Sequence, residues 1–407
     1  MSIEVDPRSR VVPISGSLRG HTVAYLVSLF PCWSETFIVR EILALRRRGA
    51  QVRIYSLKPP NEEYVHEAAR MLHKEVIYPP AMWRLALAPC YPANGFLQHP
   101  AWSFLQAIRD ASDSGLKEIV KAAYTVAVAT YFADKVRRLG VAHVHAHWAT
   151  YPALAARTIR TLVGTPYTVT AHAHDLFLPN PYRRATLASA HTIVTISEYN
   201  RRYLGSLGIP LEQVKVVRCG LDLEEFTPLR NGEGVERTPG SIVTVARLHP
   251  IKGLSDLISA CAILRARGIE LDCKVIGDGP LRRRLEQQIR DHGLEDKVQL
   301  VGVLNQREIR EILSRTQVFV LPCVQTEDGA QDGIPVSLME AMALRENTER
   351  PITVTDGTNR LVGTDTGKIV SGFQEAIDER SSARIPELWD GKTSMRITNV
   401  IREFLHV

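Results

Sequence analysis

From Ser241 onward the chain alternates short, uninterrupted apolar runs with segments of helical period, a rhythm that few architectures satisfy. "SIVTVA", "LDCKVIG", "KVQLVG" and "VFVLP" read as strands. Their apolar content suits a sheet covered on both sides. The segments between them supply the cover. In "GLSDLISACAILRARG" the residues Leu254, Leu257, Ile258, Cys261 and Leu264 share one helix face, and Gly268 ends the run. A second helix is expected from Pro280. In "NQREIREIL" the spacing of Asn305 and Glu308 is that of a capping box, with Ile309, Ile312 and Leu313 as the buried stripe. Strand and helix in strict turn imply a parallel, Rossmann-like sheet.

The first half repeats the pattern less regularly. "HTVAYLV", "QVRIYSL", "VAHVHAHW", "YTVTAHAH", "HTIVTIS" and "VKVVRCG" read as strands, with helices such as Glu35 to Arg48 between them. At 407 residues the chain exceeds one comfortable core. The Gly- and charge-rich stretch Leu229 to Ser241 is the natural joint. The expected architecture is α/β, two Rossmann-like domains facing across a cleft, residues 1–230 and 231–407. In such sheets ligands gather at the carboxyl ends of the strands.

Several classes of protein are disfavoured. No apolar run approaches the roughly 18 residues of a membrane span, and "MSIEVDPRSR" lacks the apolar core of a secretory signal. The six cysteines are scattered without a C-x-x-C pair, which suits thiols in a reducing, cytoplasmic setting rather than disulfides or zinc. The net charge of +6 is spread over helix faces and mixed with acids, as in "LRRRLEQQIR", so no nucleic-acid partner is expected.

The stretch "DGIPVSLMEAMAL" carries the most chemistry. Pro335 suits a first helical position, and the amides around Gly333 and Ile334 with the helix dipole make an anion site. Asp332 stands before it, and Glu340 lies five residues beyond Pro335, about 7 Å along the axis at ~1.5 Å per residue. That spacing suits a diphosphate between two hydroxylated rings. Arg247 and Lys252 in "VARLHPIKG" follow the first strand of the same domain, where they would neutralise a diphosphate. Gly277 and Gly279 in "GDGP" let backbone approach a ligand, although one G-x-G is weak alone.

Taken together, "VARLHPIKG", "GDGP" and "DGIPVSLMEAMA" resemble the donor domain of the family-4 retaining glycosyltransferases of GT-B fold. "YLVSLFPCWSETFIVREILALRRRGAQVRIYSL", "TAHAHDLF" and "TISEYNRRYL" resemble members of the bacterial exopolysaccharide and colanic-acid type. The likeness runs from about residue 22 to 344. It implies that Asp332 meets the sugar hydroxyls of a UDP- or GDP-linked donor and Glu340 the ribose, as in the family's Glu-x7-Glu pair. It implies that Arg247 and Lys252 hold the diphosphate, with no cofactor and no obligatory metal. His172 is assigned to the donor-sugar side, with His174 and Asp175 supporting the loop. Ser34 and Glu35 lie at the edge the family uses for its acceptor, although Ser34 also reads as a plain helix cap.

His143, His145 and His147 alternate on one strand face. Without matching acids or cysteines they read as structural rather than metal-binding, and His147 is the best functional candidate among them. Met82 to Leu105, rich in Trp, Phe and Leu, is a packed helical hairpin or a contact for the inner face of the cytoplasmic membrane, where a polyprenyl-diphosphate-linked glycan acceptor would reside. After Leu344 the family pattern breaks off. "RENTERPITVTDG" follows, "IPELWDGKT" comes late at Ile385, and neither the last strands nor a helix returning to the first domain is legible. The expected activity is hexosyl transfer from a nucleotide-sugar to a glycan; a non-catalytic sugar-nucleotide-binding partner and a GT-B epimerase are the alternatives.

Overall fold

The computed structural model describes residues 18–32, 36–60, 71–88, 96–217 and 237–324, with isolated residues at 337, 366–367, 369–371, 396–397 and 399–401. Among these, two parallel sheets form the frame. The first has seven strands in the order β3-β2-β1-β4-β5-β6-β7. They are β1 Thr22–Leu29, β2 Gln51–Lys58, β3 Val76–Ile77, β4 His143–His147, β5 Tyr167–Ala171, β6 Thr192–Thr195 and β7 Val214–Val216. The second has four strands in the order β10-β9-β8-β11, namely β8 Thr238–Val245, β9 Asp272–Ile276, β10 Val298–Gly302 and β11 Thr316–Phe319.

The apolar runs explain the burial. Val23, Leu26 and Val27 of β1 and Cys273, Val275 and Ile276 of β9 are at most 1% exposed, as strands covered on both faces must be. Around the first sheet run α1 Thr36–Arg47, α2 Met82–Ala86, α3 Pro100–Ala111, α4 Leu116–Arg138, α5 Tyr151–Val163, α6 Ala173–Phe177, α7 Arg183–Ala188 and α8 Glu198–Ser206. Around the second run α9 Leu254–Ala266, α10 Arg282–Asp291 and α11 Gln306–Arg315. The expected stripe of α9 is buried as a unit with Cys273, Val275 and Leu285. The capping box of α11 is present in both directions: Asn305 accepts from the backbone of Arg307 and Glu308, and Glu308 accepts from the backbone of Asn305.

By packing, the chain separates into two compact units, residues 1–170 with 185–192 and 394–407, and residues 171–184 with 193–393. The closing segment that the sequence did not reveal lies in the first of them. Ile397, Val400 and Ile401 are buried, and Arg48 donates to Asn399 Oδ1 at 2.7 Å.

Two other sequence readings change. "YTVTAHAH" is a strand only to Ala171; the Asp175 carboxylate accepts the His172 backbone N–H at 2.7 Å, which turns the chain into α6. The helix expected from Pro280 starts at Arg282, because the Leu281 N–H pairs outward with the Leu248 carbonyl. The aromatic stretch forms α2 and α3, both packed on α4. In α3 the small residues Ser103, Ala107 and Ala111 face inward, whereas Trp102, Leu105 and Ile108 stay exposed. No helix among the described residues is long and apolar enough to cross a membrane.

Candidate active site

In the second sheet, three loops meet at the carboxyl ends of the strands. After β8 the chain continues Ala246 to Gly253, and its backbone is stitched to the turn after β9. Ala246 N–H donates to the Ile276 carbonyl at 3.0 Å, and Leu248 N–H to that of Asp278 at 3.0 Å. The same loop meets the chain leaving β11 through Val324 N–H and the Ile251 carbonyl, 2.9 Å apart. Such contact needs glycine. A Cβ on Gly277 would lie 2.0 Å from the Ala246 oxygen, and one on Gly253 would lie 1.9 Å from that of Pro322. Gly277 also has φ +136°, which a side chain disfavours. Gly279 is held a little less closely, its Cβ position 2.6 Å from the Leu248 oxygen.

This stitched backbone carries the two expected cations. Arg247 is exposed between the buried Ala246 and Leu248, so neighbours on either side anchor the loop while the guanidinium remains accessible. Lys252 is half-buried in the one-turn 3-10 helix Pro250–Lys252. Both therefore stand at the strand ends, where an α/β sheet takes its ligands. Asp332, Gly333, Ile334, Pro335 and Glu340 lie outside the described residues, as do Ser34 and Glu35. His172 is half-buried at the end of β5, and the buried Asp175 holds its backbone. His174 falls in α6, its side chain outside the described set.

The first sheet holds a buried polar row. His143, His145 and His147 are fully buried on β4. Thr168 on β5 bridges two of them, with its hydroxyl 2.8 Å from His143 Nε2 and 2.7 Å from His145 Nδ1. The Thr170 hydroxyl lies 3.0 Å from His145 Nε2. Contrary to the reading that no acid stands beside the histidines, Glu41 does. Its Oε2 is 3.6 Å from His147 Nδ1 and accepts from the Tyr25 hydroxyl at 3.0 Å. The sequence carried a signal for this. Glu41 falls three residues after Ile38 and four before Leu45, on the apolar stripe of α1, where a carboxylate is out of place.

Burial sets the charge states. It pushes the Glu41 carboxyl up to about 7, a shift partly offset by His145 and the Tyr25 hydrogen bond. Burial likewise lowers His145 and His147 to about 3, and it takes His143 well below its ordinary value. With neutral imidazoles, the Glu41–His147 contact is no ion pair. Ligand atoms of Glu41, His145 and His147 lie within 4.8 Å of one another, which is a possible metal set by residue type. Yet both nitrogens of His145 are engaged by threonine hydroxyls, which leaves that imidazole no nitrogen for a metal.

At the carboxyl end of β4 the row meets Trp148, the one non-glycine residue with positive φ (85°) among those described. For a bulky residue this conformation costs about 1–3 kcal/mol and has to be imposed by its surroundings. Its N–H donates to the Thr170 carbonyl at 2.9 Å. Its ring packs near-perpendicular to His147 and Phe37, with centroids at 5.5 and 6.3 Å.

With this geometry established, known proteins place the chain. Residues 226–347 match the family model described as "Glycosyl transferases group 1", and residues 116–225 match "Glycosyltransferase Family 4". The colanic acid biosynthesis glycosyltransferase WcaL of Escherichia coli K12 is 29% identical over 337 residues, 79% of this chain and 80% of that one. The amylovoran biosynthesis glycosyltransferase AmsK of Erwinia amylovora is 39% identical over 157 residues, 39% of this chain and 38% of that one. In fold, the lipopolysaccharide outer core galactosyltransferase WaaB superposes with TM-score 0.62 at 14% identity, covering 95% of this chain and 100% of its own. Anabaena HepE, solved in complex with UDP-glucose, gives 0.61 at 14% identity, with 95% and 99% covered. The two family models adjoin at residues 225 and 226 and together take in more than half of the sequence: the chain belongs to the family-4 glycosyltransferases and has the GT-B architecture.

Proposed function

We propose that the protein moves a hexosyl unit, with retention of configuration, from a UDP- or GDP-linked sugar to a glycan acceptor carried on a polyprenyl diphosphate, in the assembly of an exopolysaccharide. The observation that carries this reading is the trio of stitched loops at the ends of β8, β9 and β11, which presents Arg247 and Lys252 on backbone that glycine allows to pack closely. A diphosphate has the charge and size to sit there. Relatives named for colanic acid and amylovoran biosynthesis support the exopolysaccharide setting.

In this mechanism the donor diphosphate leaves against Arg247, Lys252 and the amides of Gly333 and Ile334, with Pro335 as the first helical residue. Asp332 orients the sugar, Glu340 the ribose and His172 the departing face; Ser34 and Glu35 border the acceptor. The acceptor oxygen bonds to the anomeric carbon on the face from which the diphosphate oxygen departs. The acceptor proton goes to that leaving oxygen. No cofactor or metal enters the scheme. A division into domains 1–230 and 231–407 is supported by the gap between the seven-stranded sheet, which ends at Val216, and the four-stranded one, which begins at Thr238, although by packing residues 394–407 go with the first unit. We place the enzyme at the inner face of the cytoplasmic membrane, with α2 and α3 as its contact.

The test is turnover of a panel of UDP- and GDP-sugars with the anomeric configuration of the product read by NMR. Arg247→Ala and Lys252→Ala are each expected to lower kcat by about 10²-fold with a smaller rise in donor KM, because charge on the diphosphate grows as the bond breaks. A rise in KM alone would mean that the cations merely bind the donor.

A further inference from the structure

Two costly features lie together at the carboxyl end of β4, and nothing in the donor chemistry uses either. One is Trp148 in left-handed backbone, fastened by its N–H to Thr170 and clasped by His147 and Phe37. The other is the carboxyl of Glu41, buried directly behind that clasp and hydrogen-bonded to Tyr25. Strained backbone and buried acids persist where surrounding structure imposes them, and they concentrate at binding and reaction sites. A fold that needed only a turn here would place Gly or Asn at this position.

What Trp148 offers is a half-buried indole at the edge of a parallel sheet where ligands bind. A pyranose ring has one face lined by C–H groups and hydroxyls around its rim. It stacks that face on an aromatic ring while its hydroxyls stay hydrogen-bonded. A rigid indole gives large contact area for little conformational entropy, which flexible side chains do not.

We infer that Trp148 is the platform on which the terminal sugar ring of the acceptor stacks, and that Phe37, His147 and Glu41 are positioning residues that hold it there. This rests on the proposed transfer to a glycan acceptor and names a subsite for it on the first sheet. Glu41 and His147 touch no substrate; they fix the angle at which the indole is presented. Phe37 closes the clasp from α1, so the helix that follows β1 and the strand end of β4 set the platform jointly.

The experiment uses octyl β-glucoside and octyl β-galactoside as acceptor surrogates with the full-length protein. Saturation-transfer NMR on the wild type should show the strongest transfer at the ring C–H protons of one pyranose face. Trp148→Asn keeps a residue suited to left-handed backbone and removes the platform; Trp148→Phe keeps a platform. The Asn variant, folded by circular dichroism, should lose the ring-proton transfer and raise the acceptor KM about ten-fold, the scale of one lost stacking contact. The Phe variant should stay within about three-fold of wild type by the same measure. Donor KM and donor hydrolysis without acceptor should be unchanged in both. Glu41→Gln should change acceptor KM and its pH profile while leaving donor KM alone. Unaltered ring-proton transfer in the Asn variant overturns the platform. A wild type that turns over no nucleotide-sugar overturns the glycosyl-transfer reading instead, and the NMR comparison still decides whether Trp148 binds a sugar.

Discussion

One carboxyl and the imidazoles beside it on β4 pull the pH response of this protein in opposite directions. Glu41 carries a proton in the folded chain up to about pH 7, whereas its ordinary value is 4.5. The folded state therefore binds the proton more tightly than the unfolded state. The stability this contributes is complete below pH 4.5 and is lost as pH rises through 7, amounting to about 3 kcal/mol. His145 and His147 have the opposite sign: held near 3, they contribute stability that is present above about 6.5 and lost on acidification. Two imidazoles outweigh one carboxyl, so the wild type should destabilise below pH 6. Comparison with Glu41→Gln isolates the acid. Urea midpoints measured from pH 5 to 8 should rise for the variant relative to wild type as pH increases, by up to about 3 kcal/mol in stability. A difference that does not depend on pH would mean that Glu41 is ionised throughout.

The strand-end turns are the elements on which the donor half depends. Gly277→Ala would drive a Cβ into the Ala246 carbonyl and force a residue with φ +136° out of glycine territory. The expected result is a loss of about 1–3 kcal/mol of stability, read by thermal denaturation, together with weaker donor binding by calorimetry. A variant with wild-type donor affinity would show that the β8 and β9 turns do not shape the site. Elements with strictly local determinants were legible before any coordinates: the α11 capping box needs only Asn305 and Glu308, and the α9 face only its own spacing. The end of β5 was not, because it depends on Asp175 folding back to a backbone N–H that the alternating histidines disguise. Glu41 escaped for a related reason. Its partners are supplied by β1 and β4, far away in sequence, so only its unsuitable place on the α1 stripe hinted at them. The motif read most fully from sequence, Asp332 to Leu344, falls for the most part outside the described residues, so its donor contacts rest on the family pattern.

At the scale of the whole molecule, surface chemistry matters more than the core. The net charge is +6, and α2 and α3 turn large side chains outward, with Trp83 65% and Trp102 54% exposed. The proposed docking on the inner leaflet would combine about 1 kcal/mol per well-placed cation with apolar insertion of these rings and the half-buried Phe104. Cosedimentation with anionic vesicles should weaken as salt rises without vanishing, and replacing Trp83 and Trp102 by Ser should abolish the salt-resistant part. Absence of binding at low salt would rule the surface out as a membrane contact. The second sheet has a consequence of another kind. Among the described residues, its order β10-β9-β8-β11 seats the last strand beside the first, fastened by Gly240 and Ser241 to Gln317. On the ribosome, β8 gains β9 and then β10 on one flank, yet its other flank waits until residue 319 has been made. At ~5–20 residues per second that delay lasts roughly 4–15 s. For that interval a nascent chain exposes a bare row of amides and carbonyls, so slow translation on the way to Phe319 prolongs the stage at which this strand is most open to pairing with the wrong partner.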